Sequence, residues 1–233
     1  MNKILIFTAT YNEVKNVDKL ITKLKDNCAE ADILIIDDNS PDGTGKLLEK
    51  KMLTDDKLKV IVRAGKLGLD TAHKFAYNYA ISNNYDCLIT MDADLSHNPS
   101  EIPNFLKLIN NNDFVLGSRY MKGGKNNLNL FRFILSYFGN KFIKIVLNIK
   151  CTEYTSSFRA FNLRRMNKFN LNIITSKGYS FFMETVYQIN HLGYNIVEIP
   201  IIFENRLQGE SKIPKNELIR TLLNVIRLYL NKK

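Results

Sequence analysis

The chain has 233 residues, with 33 Lys plus Arg against 23 Asp plus Glu, a net charge of +10. Hydrophobic residues make up 45% and charged residues 24%, which fits a folded globular protein and excludes a disordered chain, a collagen-like repeat and a disulfide scaffold. The positive excess asks for an anionic partner, and nucleic acid, anionic lipid or a phosphorylated substrate would each satisfy it.

The first half alternates short apolar runs with helical patterns. Residues 3–9 read as a strand, their apolar core being too short for a signal peptide. Residues 16–28 place Val17, Leu20, Ile21 and Leu24 on one helical face. Residues 33–36 form a buried-strand run that ends in the turn signal Asp37-Asp38-Asn39-Ser40-Pro41-Asp42-Gly43. Asp42 reads as an Asx-turn residue. A helix follows, then a strand at 58–62, a helix from about Leu69 to Ile81 and a strand at 87–91. Residues 92–99 are loop, a helix starts near Ser100, and 114–116 is the next strand. This alternation predicts an α/β fold built of βαβ units, with a mostly parallel central sheet and helices on both faces. Ligands bind such sheets at the carboxyl ends of strands. That rule selects the segments after Ala9, Ile36, Met91 and Leu116.

The second half changes character. Residues 1–116 carry a net charge of −3 and residues 117–233 a net charge of +13. Residues 128–149 and 216–230 are rich in Phe, Leu and Ile, interspersed with Arg132, Lys141, Lys144, Arg220 and Arg227. Such basic amphipathic helices either cover a core or lie on a membrane surface. No helix-turn-helix, zinc-finger or RNP-like pattern supports a nucleic-acid domain, so none is expected as a partner. Cys28, Cys87 and Cys151 are too few and too far apart for a disulfide framework or a Cys-rich zinc site, which favours a reducing, cytoplasmic setting. The longest uncharged stretch, 185–197, is shorter than the roughly 20 apolar residues a spanning helix needs. No repeat or Pro/Gly linker divides the chain, which reads as one catalytic domain with a C-terminal extension.

Asp92-Ala93-Asp94 closes the strand at 87–91. Two carboxylates at i and i+2 suit Mg²⁺ or Mn²⁺, ions that also hold a diphosphate; the alternative is a pair of helix-capping loop residues. Asp37 and Asp38 end a neighbouring strand, and carboxylates brought together without a cation repel. Asp38 could accept hydrogen bonds from a base or ribose, or serve only its turn. Neither a dinucleotide fingerprint nor a P-loop nor a nucleophile elbow is present. The three His are too scattered for a His-based site.

The ordered set of motifs is Tyr11-Asn12-Glu13, Asp37 to Thr44, Arg63-Ala64-Gly65-Lys66-Leu67-Gly68-Leu69, Met91 to His97, Gly117-Ser118-Arg119-Tyr120, Gly178-Tyr179, Glu184, and Asn205-Arg206 to Gly209-Glu210-Ser211-Lys212. This set resembles the inverting family-2 glycosyltransferases of GT-A (Rossmann-like) fold, and within them the dolichyl-phosphate (polyprenyl-phosphate) mannosyltransferases. The resemblance implies transfer of mannose from GDP-mannose to a polyprenyl phosphate, with inversion. It implies that Tyr11 and Glu13 contact the nucleotide, and that Ile36 and Asp38 line the base and ribose site. Asp92 and Asp94 would hold Mg²⁺ or Mn²⁺ and the diphosphate, with Ala93 against the nucleotide. Ser96 stands where some relatives place a metal-ligating Gln. Arg119, Arg206 and Lys212 would bind donor and acceptor phosphates. Residues 1–118 become the nucleotide-sugar half, and 119–233 the acceptor-binding and membrane-associating half of a single domain. Asp70 and Phe182 depart from the usual Gly and Gln, which bears on donor choice.

The expected location is the cytosolic face of a membrane, held peripherally by the C-terminal amphipathic helices, with a membrane-anchoring partner protein left open. The competing readings are a related transferase using UDP-glucose, UDP-GlcNAc or another acceptor in cell-surface polysaccharide assembly, and a non-catalytic membrane- or nucleic-acid-binding protein.

Overall fold

The computed structural model describes residues 3–127, 130–204 and 217–230, with only the backbone of 217–219. Its first half follows the expected alternation: β1 (Ile4–Thr10), α1 (Val17–Asn27), β2 (Asp32–Asp37), α2 (Thr44–Met52), β3 (Leu58–Val62), α3 (Leu69–Ser82), β4 (Cys87–Asp92), α4 (Ile102–Ile109) and β5 (Phe114–Ser118). A short β6 (Lys125–Asn126) and the long α5 (Leu130–Leu147) come next, then β7 (Arg159–Asn162), α6 (Tyr179–His191), β8 (Ile196–Pro200), β9 (Ile202–Phe203) and α7 (Glu217–Leu230). The main sheet has seven strands in the order β3-β2-β1-β4-β7-β5-β8, and β6 pairs with β9 beside it. In the main sheet β1, β2, β3 and β4 are mutually parallel, as are β5 and β8.

The period-2 alternation of the strands divides the core. Leu5 and Phe7 of β1, with Leu34, Ile36 and Leu88, face a cluster completed by α3, α5, α6 and α7. Ile4 and Ile6, with Ile33, Ile35 and Ile89, face the other cluster, completed by α1, α2 and α4. A sheet buried on both faces needs apolar side chains on both, which explains unbroken runs such as Ile33–Ile36 in sequence. Phe105 of α4 stacks on Phe158 at 4.2 Å between centroids and seals that second layer beneath β7.

The strand β7 is the principal difference from the sequence expectation. It runs antiparallel between β4 and β5, with Ala160 opposite both Ile89 and Val115. Four residues opening on an arginine carry no strand-like hydrophobic pattern. Arg159 is nonetheless 1% exposed. Its guanidinium donates to the carbonyls of Ser156 (2.7 Å), Tyr154 (3.0 Å) and Phe182 (2.9 Å), so backbone acceptors from the preceding segment and from α6 replace water.

A second buried cation joins β5 to the segment before β7. Arg119 forms a two-pronged pair with Glu153, Nε to Oε2 at 2.7 Å and Nη2 to Oε1 at 2.9 Å. The Glu153 side chain is fully buried and that of Arg119 is 9% exposed. Burial alone would raise the Glu153 pKa, but the Arg119 guanidinium and the hydrogen bonds from Thr155 together hold the carboxyl below the usual range. Thr155 adds two hydrogen bonds to the same carboxylate, at 3.0 Å from its N–H and 2.8 Å from its hydroxyl.

Among the described residues no helix is long and apolar enough to cross a membrane. α5 and α7 still leave many apolar side chains outside, among them Leu130, Phe131, Phe138, Ile145, Leu223 and Leu230, each at least 59% exposed.

Glu153→Gln removes one member of a buried ion pair and is expected to destabilise the fold by about 3–5 kcal/mol at neutral pH. A carboxyl depressed in the folded state stabilises above its unfolded pKa and loses that contribution as pH falls through its folded value. The stability gap between variant and wild type should therefore narrow on acidification. Urea melts across the acid range measure it; an unchanged midpoint at neutral pH would refute the role of the pair.

Candidate active site

A cleft of about 550 Å³ opens at the carboxyl ends of β1 and β4. Its position follows the rule for doubly wound sheets, because the chain leaves β1 toward β2 on one side and β4 on the other. Such a volume suits a small-molecule ligand. One set of lining residues is acidic: Glu13 after β1, Asp70 in the first turn of α3, and Asp92 and Asp94 at the end of β4. Another is basic: Lys66 before α3, Lys177 before α6, and Arg220 on α7.

Asp92 and Asp94 are held by a turn rather than by a helix cap. The turn passes through Leu95 at φ 63°, a left-handed conformation that costs a branched side chain energy. Ser157 donates to Asp92 Oδ1 at 2.5 Å, and the Ser96 N–H donates to Asp94 Oδ1 at 3.0 Å. The Asp92 N–H donates to His97 Nδ1 at 3.2 Å. His97 is buried between the rings of Phe158 and Phe203, and burial lowers its pKa, so it accepts this bond as a neutral imidazole. Neutral donors thus fix both carboxylates at the cleft. Among the described residues no group of three or more His, Cys, Asp or Glu forms a metal cage. Two hard oxygen ligands with room for substrate oxygens fit Mg²⁺ or Mn²⁺, which commonly keep waters and share substrate phosphates.

Tyr11 and Ala93 also line the cleft, and Lys66 Nζ lies 4.0 Å from the centre of the Tyr11 ring. A lysine over an aromatic face is an attractive contact that holds the loop carrying it. Glu13 is anchored at the head of α1, its Oε2 accepting from Asn16 Nδ2 at 2.7 Å.

Four other expected site residues are placed elsewhere. Ile36 is fully buried in the core and does not reach the cleft. Its strand is covered on both faces, so an apolar side chain one residue before the strand end stays in the interior. Asp38 lies beside the cleft, bonded to Arg63 and accepting from the Gly68 N–H at 3.2 Å. It ties the end of β2 to the loop that carries Lys66 and Gly68 and leads into Asp70 of α3. Ser96 is fully buried, its hydroxyl has no hydrogen-bond partner among the described residues, and its N–H donates to Asp94. Arg119 stands behind Thr155, committed to Glu153 and to the Thr155 hydroxyl at 3.0 Å. Arg206 and Lys212 lie outside the described residues.

The acidic turn before α2 has a structural task. Asp37 accepts from the Thr10 hydroxyl (2.8 Å) and the Ser40 N–H (2.8 Å), and Asp42 from the Thr44 N–H (3.0 Å) and the Val14 N–H (3.1 Å). These bonds lock the segments after β1 and β2 together. The sequence alone does not single out Lys177, Arg220 and Asp70 as ligand contacts. Lys177 adjoins the Gly178-Tyr179 motif, which is the one available signal. Arg220 sits in an amphipathic pattern whose facing only packing reveals.

Residues 5–168 match the family model of glycosyl transferase family 2. An undecaprenyl-phosphate mannosyltransferase of Micrococcus luteus is 34% identical over 226 residues, covering 97% of this chain and 93% of the relative. A polyprenol monophosphomannose synthase of Mycolicibacterium smegmatis is 32% identical over 224 residues, covering 95% and 84%. Among solved structures, a mannosyltransferase of Pyrobaculum calidifontis in complex with GDP-mannose and Mn²⁺ superposes with a TM-score of 0.56 at 15% identity, covering 98% of this chain and 63% of that one. The match across residues 5–168, with near-full-length relatives above 30% identity, establishes that the chain belongs to glycosyl transferase family 2.

Proposed function

We propose that the protein transfers mannose from GDP-mannose to a polyprenyl phosphate with inversion, giving polyprenyl-phosphate mannose and GDP. The observation that carries the reading is the cleft itself, in which acidic residues from the strand ends meet basic residues from α6 and α7. It occurs in a chain alignable almost end to end with two mannosyltransferases of polyprenyl phosphates.

The reaction forms a bond from an acceptor phosphate oxygen to the anomeric carbon. It breaks the bond from that carbon to the diphosphate, whose oxygen keeps the electron pair. An acceptor phosphate monoester carries about −1.5 to −2 charge at neutral pH and needs little deprotonation, so no dedicated base is required. The difficulty is electrostatic, since two anions must approach each other. Asp92 and Asp94 would hold Mg²⁺ or Mn²⁺, which when bound offsets charge on the departing diphosphate. Lys66, Lys177 and Arg220 surround the phosphates with positive charge. Tyr11 and Glu13 receive the nucleotide, and Asp38 keeps the loop beneath it in place through Arg63 and Gly68. Arg119 acts one layer back, fixing the wall at Thr155. Positioning and charge stabilisation then supply most of the rate. Residues 1–118 bind the donor and 119–233 the acceptor and the membrane surface.

The acceptor's tail stays in a bilayer, so the enzyme must meet it at the interface. The exposed apolar side chains of α5, together with Arg132, Lys141 and Lys144 on the same helix, suit peripheral contact with an anionic surface.

Purified protein with Mg²⁺ or Mn²⁺, a short polyprenyl phosphate and separately labelled GDP-mannose, UDP-glucose and UDP-GlcNAc should yield lipid-linked mannose alone. Asp94→Ala should lower the rate on the order of 100-fold or more, and chelation should abolish it until either ion is returned. Product only from a UDP-sugar would sink the mannose assignment, and activity that survives chelation would sink the metal. In flotation with vesicles containing anionic lipid, wild type should rise with the vesicles and the double variant Phe131→Asp, Phe138→Asp should not; equal flotation of both would remove α5 as the contact.

A further inference from the structure

We propose that Arg220 receives the acceptor's phosphate group, and that the ion pair between Glu184 and Arg227 positions α7 so that Arg220 reaches the cleft. This rests on the reading that the acceptor is a lipid phosphate.

α7 presents three sectors. Arg220 and Arg227 are seven residues apart, two turns, and therefore lie on one face. Val225 and Leu228 are buried against the core. Leu222, Leu223, Ile226 and Tyr229 point outward, each at least 45% exposed. The face bearing the two arginines makes specific contacts with the body of the protein. Arg227 Nη2 donates to Glu184 Oε2 at 2.8 Å and to the Ser176 hydroxyl at 2.9 Å, and Nη1 to the Thr175 hydroxyl at 2.9 Å. Glu184, with its side chain 4% exposed, also accepts from the Ser176 N–H at 2.9 Å. A buried carboxylate thus holds both the segment leading into α6 and the far end of α7. Two turns closer to the helix start, the same face places Arg220 on the cleft wall with Lys177 and Tyr179.

The location of Arg220 favours the acceptor over the donor. The acidic residues that suit a diphosphate-bound cation come from β1, α3 and β4, whereas Arg220 comes from α7. α7 packs on α5, and both leave apolar side chains outside. A phosphate head at Arg220 therefore has an apolar surface beside it for its tail. Nucleotide and hexose have no use for such a surface. Arg rather than Lys suits a phosphate that must be oriented, because its planar fork can hold two oxygens.

The test measures acceptor KM, donor KM and kcat, with binding of farnesyl phosphate in detergent micelles followed separately without donor. Arg220→Ala should raise the acceptor KM at least tenfold and weaken farnesyl phosphate binding similarly, with donor KM within twofold of wild type. Arg220→Lys should recover part of the loss. Arg227→Ala should raise the acceptor KM, but in the Arg220→Ala background it should add less than twofold, since it acts through the same group. Unchanged acceptor KM in Arg220→Ala overturns the proposal, as does an equal rise in donor KM, or fully multiplicative effects of the two variants. If wild type binds farnesyl phosphate and Arg220→Ala does not, yet no mannose is transferred, the binding proposal stands and the transfer reading fails. If wild type itself does not bind farnesyl phosphate, both fall.

Discussion

The site is organised by a repulsion. Folding brings the carboxylates of Glu13, Asp70, Asp92 and Asp94 to one cleft, where like charges repel. The protein buries Asp70 and Asp94 and leaves Glu13 and Asp92 half-buried. It fixes Asp92 and Asp94 through neutral donors, a serine hydroxyl and a backbone N–H, and leaves them at the cleft. On the proposed function, a cation entering with an anionic ligand would balance the cleft. Lys66, Lys177 and Arg220 line the same cleft with positive charge. The net charge of +10 is the sum of −3 over residues 1–116 and +13 over residues 117–233.

The carboxylates hold their geometry because the neighbouring loops are hydrogen-bonded to one another. Asp37, Asp38 and Asp42 each accept hydrogen bonds that join segments after β1, β2 and β3. On the other side, β7 slots between β4 and β5 and brings Ser157 within reach of Asp92. Two buried cations stabilise that insertion alongside the buried rings of Phe158 and Phe161. Arg159 satisfies backbone carbonyls, and Arg119 satisfies Glu153. Both arginines therefore serve the shape of the cleft from behind it.

Much of this was legible in the chain. The βαβ rhythm gives the parallel half of the sheet, since fully covered strands need continuous apolar runs. The Asp92-Ala93-Asp94 step was readable as a site because a strand end at the sheet's switch point is where ligands bind. The position of β7 was not readable. Its four residues begin with an arginine whose partners are carbonyls from residues 154, 156 and 182, and no local pattern encodes such partners. For Arg119, a phosphate contact is what the family resemblance implies. Its actual partner, Glu153, is 34 residues away in sequence.

The sequence by itself determined the sheet's first half, the strand-end carboxylates and the concentration of positive charge after residue 116. These follow from local periodicity and composition, which a linear chain displays. Tertiary structure alone decided which charges face the cleft. Asp38, Arg119 and Arg159 bond to nearby protein groups, while Lys177, Asp70 and Arg220 line the cavity. That choice depends on the rotation of a helix about its axis and on partners brought from distant segments. Neither is set by the residues immediately around the charge.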